Sequence, residues 1–76
     1  MLETHEASLG RLSAREAQVL EAAARGLTNA QVAGLLEVSV HAVKFHLASV
    51  YRKLGVGNRT EAAFMYLRSA AERPPP

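Results

Sequence analysis

Helix start signals divide this chain into short segments, and they constrain its fold more than any other feature. Residues of the helix-capping type stand before four segments with helical spacing of apolar residues: Ser13, Thr28, Ser39 and Asn58. After Ser13, Thr28 and Asn58, a Glu or Gln follows at the third position, as in a capping box. Gly26 and Gly55 supply stops for the first and third segments. These signals predict helices at about 13–25, 28–37, 40–54 and 59–72.

The connection between the second and third predicted helices limits how they can pack. The few residues around Val38 and Ser39 are too few for a relaxed hairpin and suit a near-perpendicular helix-turn-helix. Gly34, inside the second helix, indicates that a neighbouring backbone comes close there. We expect an all-α fold, a four-helix bundle that contains a helix-turn-helix. Its predicted core consists of Leu12, Val19, Leu20, Leu27, Val32, Leu35, Leu36, Val43, Leu47, Val50, Leu54 and Leu67.

Length and composition narrow the class of protein. A chain of 76 residues forms one domain with a small core, so dimerisation is one route to stability. It has no cysteine, and no apolar run approaches the roughly 20 residues that span a bilayer. Without a signal sequence at the N-terminus, a cytoplasmic location away from membranes is expected. We interpret residues 1–11 as a flexible lead or linker, 12–72 as the domain and 73–76 as a proline tail.

Basic residues are concentrated in one part of the chain. The formal net charge is only +2, but the segment from Val38 to Thr60 contains no Asp or Glu. Its cationic or titratable basic residues are His41, Lys44, His46, Arg52, Lys53 and Arg59. A positive surface of this kind is typical of proteins that bind polyanions, although a solvated helix face has the same charge pattern.

The third helix has two contrasting faces. One apolar stripe is formed by Val40, Val43, Leu47, Val50 and Leu54. The opposite face carries His41, Phe45, Ala48, Ser49 and Arg52, flanked by Lys44, His46 and Lys53. Hydrogen-bond donors, a small residue and an aromatic ring, with no carboxylate, suit the major groove of duplex DNA. An alternative is that Phe45 packs on the N-terminal lead or on a partner protein.

The sequence shows no catalytic or metal-binding arrangement. His41 and His46 are five residues apart, so they lie on different sides of the helix and do not form a metal pair. We therefore expect neither an enzyme nor a cofactor.

Several linked motifs resemble one family. The segments LSAREAQVL, ARGLTNAQVAGLLEVS, VKFHLASVYRKLGV and NRTEAA, in this order, are similar to the LuxR-type (GerE or NarL/FixJ-type) helix-turn-helix domain of bacterial transcriptional regulators. The resemblance implies a four-helix domain that binds double-stranded DNA with its third helix in the major groove, and a homodimer through its fourth helix.

Residue roles follow from the resemblance and from the face of the third helix. Bases are expected to meet Lys44, Phe45 and Ala48, with His41 on the same face. Phosphates are expected to meet Thr28, Asn29, Ser39, Ser49, Arg52 and Lys53. Glu16 is expected to be structural and to pair with Arg59 or Lys53, and Arg59 is placed in the structural set with it.

The fourth helix and two departures from the family pattern qualify this interpretation. Ala62, Ala63, Tyr66, Leu67 and Ala70 are expected to face the core. Phe64 and Met65 are expected to project away from it, and the dimer interface is assigned to these two residues and Arg68. The alternative is that Phe64 and Met65 widen the core contact or cover a missing domain. The family usually has Glu at the position of Gln31 and Thr at that of Ala42, and loss of the Thr hydroxyl removes one phosphate contact. The competing hypothesis is a protein-interaction module that binds RNA polymerase or another regulator.

Overall fold

The computed structural model describes residues 9–72. Within them the chain forms α1 (Ala14–Ala24), α2 (Asn29–Leu36), α3 (Val40–Leu54) and α4 (Arg59–Glu72), with no strand. The predicted all-α fold is confirmed, and each helix begins and ends within one residue of its predicted bound. The described helices include none that is both long enough and apolar enough to cross a membrane. The proline tail and most of the predicted lead lie outside the described residues.

The predicted caps set the helix starts. The Ser13 hydroxyl accepts from the N–H of Glu16 at 3.0 Å, and the Glu16 carboxylate accepts from the N–H of Ser13 at 2.9 Å. Thr28 and Gln31 make the same reciprocal pair at 3.1 and 2.8 Å. At α4, Asn58 accepts from the N–H of Glu61. The Glu61 carboxylate, however, accepts from the residue before the cap, Gly57.

Two apolar clusters hold the helices together. The first joins α1, α2 and α3 through Val19, Ala22, Ala23, Val32, Ala33, Val43 and Leu47. The second joins α1, α3 and α4 through Leu20, Val50, Leu54 and Ala62. Leu9 packs on the second cluster although it was assigned to the flexible lead, so the packed part of the chain begins before Leu12. Tyr51 contacts both clusters and links them.

Four predicted core positions are wrong, and three of them are large apolar residues. Leu35 is 62% exposed, because Val32 and Ala33 are the buried residues of the short helix α2. Leu67 is 52% exposed and Val40 is 39% exposed.

On α4, the expected core face is rotated by about one residue. Ala62 and Ser69 are buried, and Met65 and Tyr66 pack on the second cluster, with the three- and four-residue spacing of one helix face. Ala70 is exposed, contrary to expectation. Met65 therefore packs on the core, as in the alternative that it widens the core contact, and the expectation that it projects away from the core is wrong.

A buried carboxylate joins α1 to α3. Glu16 is 7% exposed, and its Oε2 accepts from the Ser49 hydroxyl at 2.6 Å. Its Oε1 accepts from Lys53 Nζ at 2.8 Å. These hydrogen bonds, of which the one from Lys53 has the largest effect, lower the pKa of Glu16 to about 2. Burial acts in the opposite direction. The predicted structural role and the pairing with Lys53 agree with this geometry; Arg59 is not the partner.

Arg59 instead attaches α4 to the start of α2. Its Nη1 donates to Asn29 Oδ1 at 2.7 Å, and its Nη2 donates to the carbonyl of Leu27. Together with the second apolar cluster, this contact fixes α4 against the helix-turn-helix.

Replacement of Glu16 tests the carboxylate contact. Glu16→Gln keeps an oxygen for Ser49 but loses the ion pair with Lys53, so we expect the free energy of unfolding at pH 7 to fall by about 2 kcal/mol, a value that allows for screening at the half-exposed lysine. Because the folded-state pKa is depressed, the stabilisation is present above pH 4.5 and is lost as pH falls toward about 2. Urea unfolding between pH 7 and 2.5 measures both effects.

The control is Glu21→Gln, which removes an exposed ion pair with Arg25 on α1. It should change the free energy of unfolding by less than about 0.5 kcal/mol, as exposed pairs contribute little. Equal pH dependence of Glu16→Gln and the parent chain would contradict the role of Glu16.

Replacement of two glycines by alanine is expected to change the free energy of unfolding in opposite directions. Gly34 is exposed in the middle of α2 and an added Cβ would meet nothing within 4 Å, so the predicted close approach of a neighbouring backbone is wrong. Gly34→Ala should raise the free energy of unfolding by about 0.5–1 kcal/mol. Gly26 has equal space but a φ of +90°, and Gly26→Ala should lower it by about 1 kcal/mol. Thermal unfolding of both variants measures the difference, and a loss of stability in Gly34→Ala would contradict the explanation.

Candidate nucleic-acid interface

One side of α3 is open to solvent along its whole length. The exposed side chains are Val40, His41, Lys44, Phe45, Ala48 and Arg52. At about 100° per residue they cover an arc of about 140° with Ala48 near its centre. The four predicted base-contacting residues, His41, Lys44, Phe45 and Ala48, therefore lie together on one accessible face.

This face is rotated relative to the sequence prediction. Ser49 was expected to contact phosphate, but it is 6% exposed and its hydroxyl donates to Glu16. The structure thus removes Ser49 from the phosphate-contacting set, because its side chain faces α1. Val40, which was assigned to the core, joins the exposed face instead. Counting apolar spacing on α3 alone missed this, because the buried partner of Ser49 is a carboxylate on another helix.

Phe45 projects into solvent. It is 69% exposed, and its one ring contact among residues 9–72 is an edge-on approach to His46 with centroids 5.8 Å apart. No described residue covers the ring. Its exposed surface is therefore available to a partner outside the domain.

The basic residues of α3 differ in whether other side chains of the protein bind them. Lys44 is exposed and has no acidic partner among the described residues, whereas Lys53 is held by Glu16. Arg52 is exposed and donates to the Ser49 hydroxyl at 3.4 Å, a long hydrogen bond. The fold thus brings one carboxylate to a segment that has none in its own sequence, and Lys44 and Arg52 remain as the outward-facing cations of α3.

The starts of α2 and α3 carry the other predicted phosphate contacts. Thr28 and Ser39 are exposed caps whose hydroxyl oxygens accept from backbone N–H groups, which leaves each hydroxyl proton free to donate. Asn29 is half-buried, and its amide oxygen is bound by Arg59. Both helix starts also present the positive end of a helix dipole.

The outer face of α4 exposes two large apolar side chains. Phe64 is 60% exposed and Leu67 is 52% exposed. The guanidinium carbon of Arg68 lies 6.0 Å from the centre of the Phe64 ring. A shallow groove runs from this face toward α1 and is lined by Ala23, Arg59, Thr60, Ala63, Phe64 and Leu67. Sequence reasoning assigned Leu67 to the core and so missed it here.

Metal-binding groups do not converge in the described part of the chain. Among residues 9–72, no three His, Asp or Glu side chains lie close enough together to hold an ion. The chemical features of the site are thus hydrogen-bond donors, positive charge and exposed apolar surface.

Comparison with known proteins gives consistent matches. The family described as bacterial regulatory proteins, luxR family, matches residues 10–66. The probable transcriptional regulatory protein SgaR of Hyphomicrobium methylovorum is 45% identical over 56 residues, which are 74% of this chain and 26% of that protein. The nitrate/nitrite response regulator protein NarP of Escherichia coli is 40% identical, over 75% of this chain and 26% of its own length.

A further relative is the transcriptional regulatory protein ComA of Bacillus subtilis, which is 37% identical over 71% of this chain and 25% of its own length. The chain spans about a quarter of the length of these three relatives. The matched residues include all of α1, α2 and α3 and the first part of α4. The chain therefore belongs to the LuxR family of bacterial regulatory proteins.

Proposed function

We propose that this chain binds double-stranded DNA in a sequence-specific manner and regulates transcription, either alone or as part of a longer regulator. The observation that carries the proposal is the exposed face of α3, on which Lys44, Phe45 and Ala48 are accessible together. Relatives whose names describe transcriptional regulators support it. The α3 helix lies in the major groove in this proposal, since the groove of B-DNA admits one helix.

Binding begins with charge and ends with base contacts. Lys44 and Arg52 attract the duplex, and the helix starts at Thr28 and Ser39 present donors to phosphates. Lys44 then donates to acceptors on base edges, and the Phe45 ring contacts a thymine methyl group. Ala48 has a short side chain near the centre of the face and so allows close approach to the bases.

The proposed dimer uses the outer face of α4. Phe64 and Arg68 were predicted for this interface, and the exposure of Leu67 adds a third residue to it, whereas Met65 packs on the core. The few apolar side chains on this one helix form a surface that is small compared with the roughly 1,200–2,000 Å² buried in stable interfaces. We therefore expect a monomer in free solution and a dimer on DNA with two half-sites about 34 Å apart.

Replacements of Lys44 and Arg52 distinguish base recognition from the electrostatic attraction of the duplex. Lys44→Ala should weaken binding to a duplex selected from a random library by about 1–3 kcal/mol, with a smaller loss on unselected duplex, because a base contact is removed. Arg52→Ala should weaken both duplexes alike and reduce the salt slope by about 1, because a phosphate contact is removed. Fluorescence anisotropy at several salt concentrations measures both quantities.

Lys53 is a less clean test than Arg52, because its replacement also leaves Glu16 unpaired. Equal losses on selected and unselected duplex for Lys44→Ala would contradict base reading by this residue. No affinity of the parent chain for any duplex at low salt would overturn DNA binding and favour the protein-interaction hypothesis.

Two phenylalanines of similar exposure test the dimer. Phe64→Ser should leave binding to one half-site unchanged and reduce cooperative binding to two half-sites by about 10-fold, or about 1.4 kcal/mol. Phe45→Ser should weaken binding to each half-site and leave cooperativity unchanged. Titrations of duplexes with one and two half-sites give both values, and undiminished cooperativity in Phe64→Ser would rule out this interface.

A further inference from the structure

Arg59 begins α4 but binds the chain where α2 begins. Its guanidinium donates to the amide oxygen of Asn29 at 2.7 Å and to the carbonyl of Leu27. Guanidinium groups have donors only, so the carbonyl oxygen of the Asn29 side chain must be the atom that faces Arg59. The contact therefore selects one of the two orientations of that amide.

The selected orientation turns the NH₂ group of Asn29 away from Arg59. Among the described residues this NH₂ group has no hydrogen-bond partner. The same part of the chain contains no buried side-chain nitrogen or oxygen that lacks a partner. It follows that the NH₂ group is not completely buried and keeps some contact with solvent, on a residue that is itself half-buried and held in place.

The orientation matters for an anionic partner. Beside Asn29, the exposed Thr28 caps α2 with its hydroxyl oxygen bound by Gln31 N–H. A phosphate that approaches the same surface is attracted by an outward NH₂ group and repelled by an outward amide oxygen. A freely rotating amide would present either group.

We propose that Arg59 is a positioning residue for DNA binding, which holds the Asn29 amide so that its NH₂ group donates to a backbone phosphate of duplex DNA. This rests on the DNA-binding function proposed above, in which Asn29 is already expected to meet phosphate, and adds the residue that orients its amide. In this proposal Arg59 acts through Asn29, to whose amide oxygen its Nη1 donates.

The first test compares two variants that add the same charge to α2. Asn29→Asp keeps oxygen acceptors for Arg59 but has no donor, so stability in urea should be equal or higher. Affinity for a random-sequence duplex should fall about 10-fold or more, as expected for loss of a hydrogen bond to a charged group. Gln31→Glu adds its charge two residues later, where Thr28 N–H can still bind the side chain, and should lower affinity less than about 3-fold.

The second test asks whether Arg59 acts through Asn29. Duplex affinities are measured for Asn29→Ala, Arg59→Met and the double variant, each under conditions where circular dichroism shows a folded chain. If Arg59 only orients Asn29, the double variant should lose no more affinity than the weaker-binding single variant. Losses that multiply, with a shallower salt dependence in Arg59→Met, would show that Arg59 contacts phosphate itself and would overturn the positioning role.

The outcomes separate this inference from the function on which it rests. A parent chain that binds duplex DNA, with Asn29→Asp and Gln31→Glu weakened equally, overturns the role of the oriented amide and leaves the function standing. A parent chain without salt-dependent duplex affinity overturns both.

Discussion

The contact between the Glu16 carboxylate and α3 determines which side of that helix remains exposed. Glu16 accepts from Ser49 and Lys53, which lie one turn apart on α3, and it is itself held by the capping box that starts α1. A buried carboxylate is costly unless it is paired, so α3 cannot rotate about its axis without leaving this group unsatisfied. Its exposed arc, from Val40 to Arg52, follows from that restraint together with the apolar stripe.

Local signals were sufficient to predict the helices. Capping boxes, glycine stops and apolar spacing are determined by residues three or four positions apart, and the structure has each helix within one residue of its prediction. Glu37 shows the limit of such reasoning. It ends α2 with a φ of 59°, in the left-handed region that favours glycine, and the sequence contains no glycine there to mark the turn.

Long-range contacts account for what the sequence could not predict. Ser49 looked like a phosphate contact because its buried partner is 33 residues away. Leu67 looked like core because apolar character alone does not distinguish the face of α4 that packs on α1 from the face that is exposed. The grouping of His41, Lys44, Phe45 and Ala48 on one face could be predicted, because a single helix sets their relative positions.

The restraint that fixes α3 also reduces the positive charge that this helix presents to solvent. Glu16 neutralises Lys53, so Lys44 and Arg52 are the outward-facing lysine and arginine of this helix. Each phosphate neutralised by a cation adds about 0.9 to the salt slope of binding, so two such contacts supply only weak electrostatic attraction. In the proposed DNA complex, neutral donors such as the Asn29 amide hold a phosphate without a net charge on the protein. In that proposed complex such donors matter more to a single domain, and a second copy bound to adjacent DNA adds the affinity that one copy lacks.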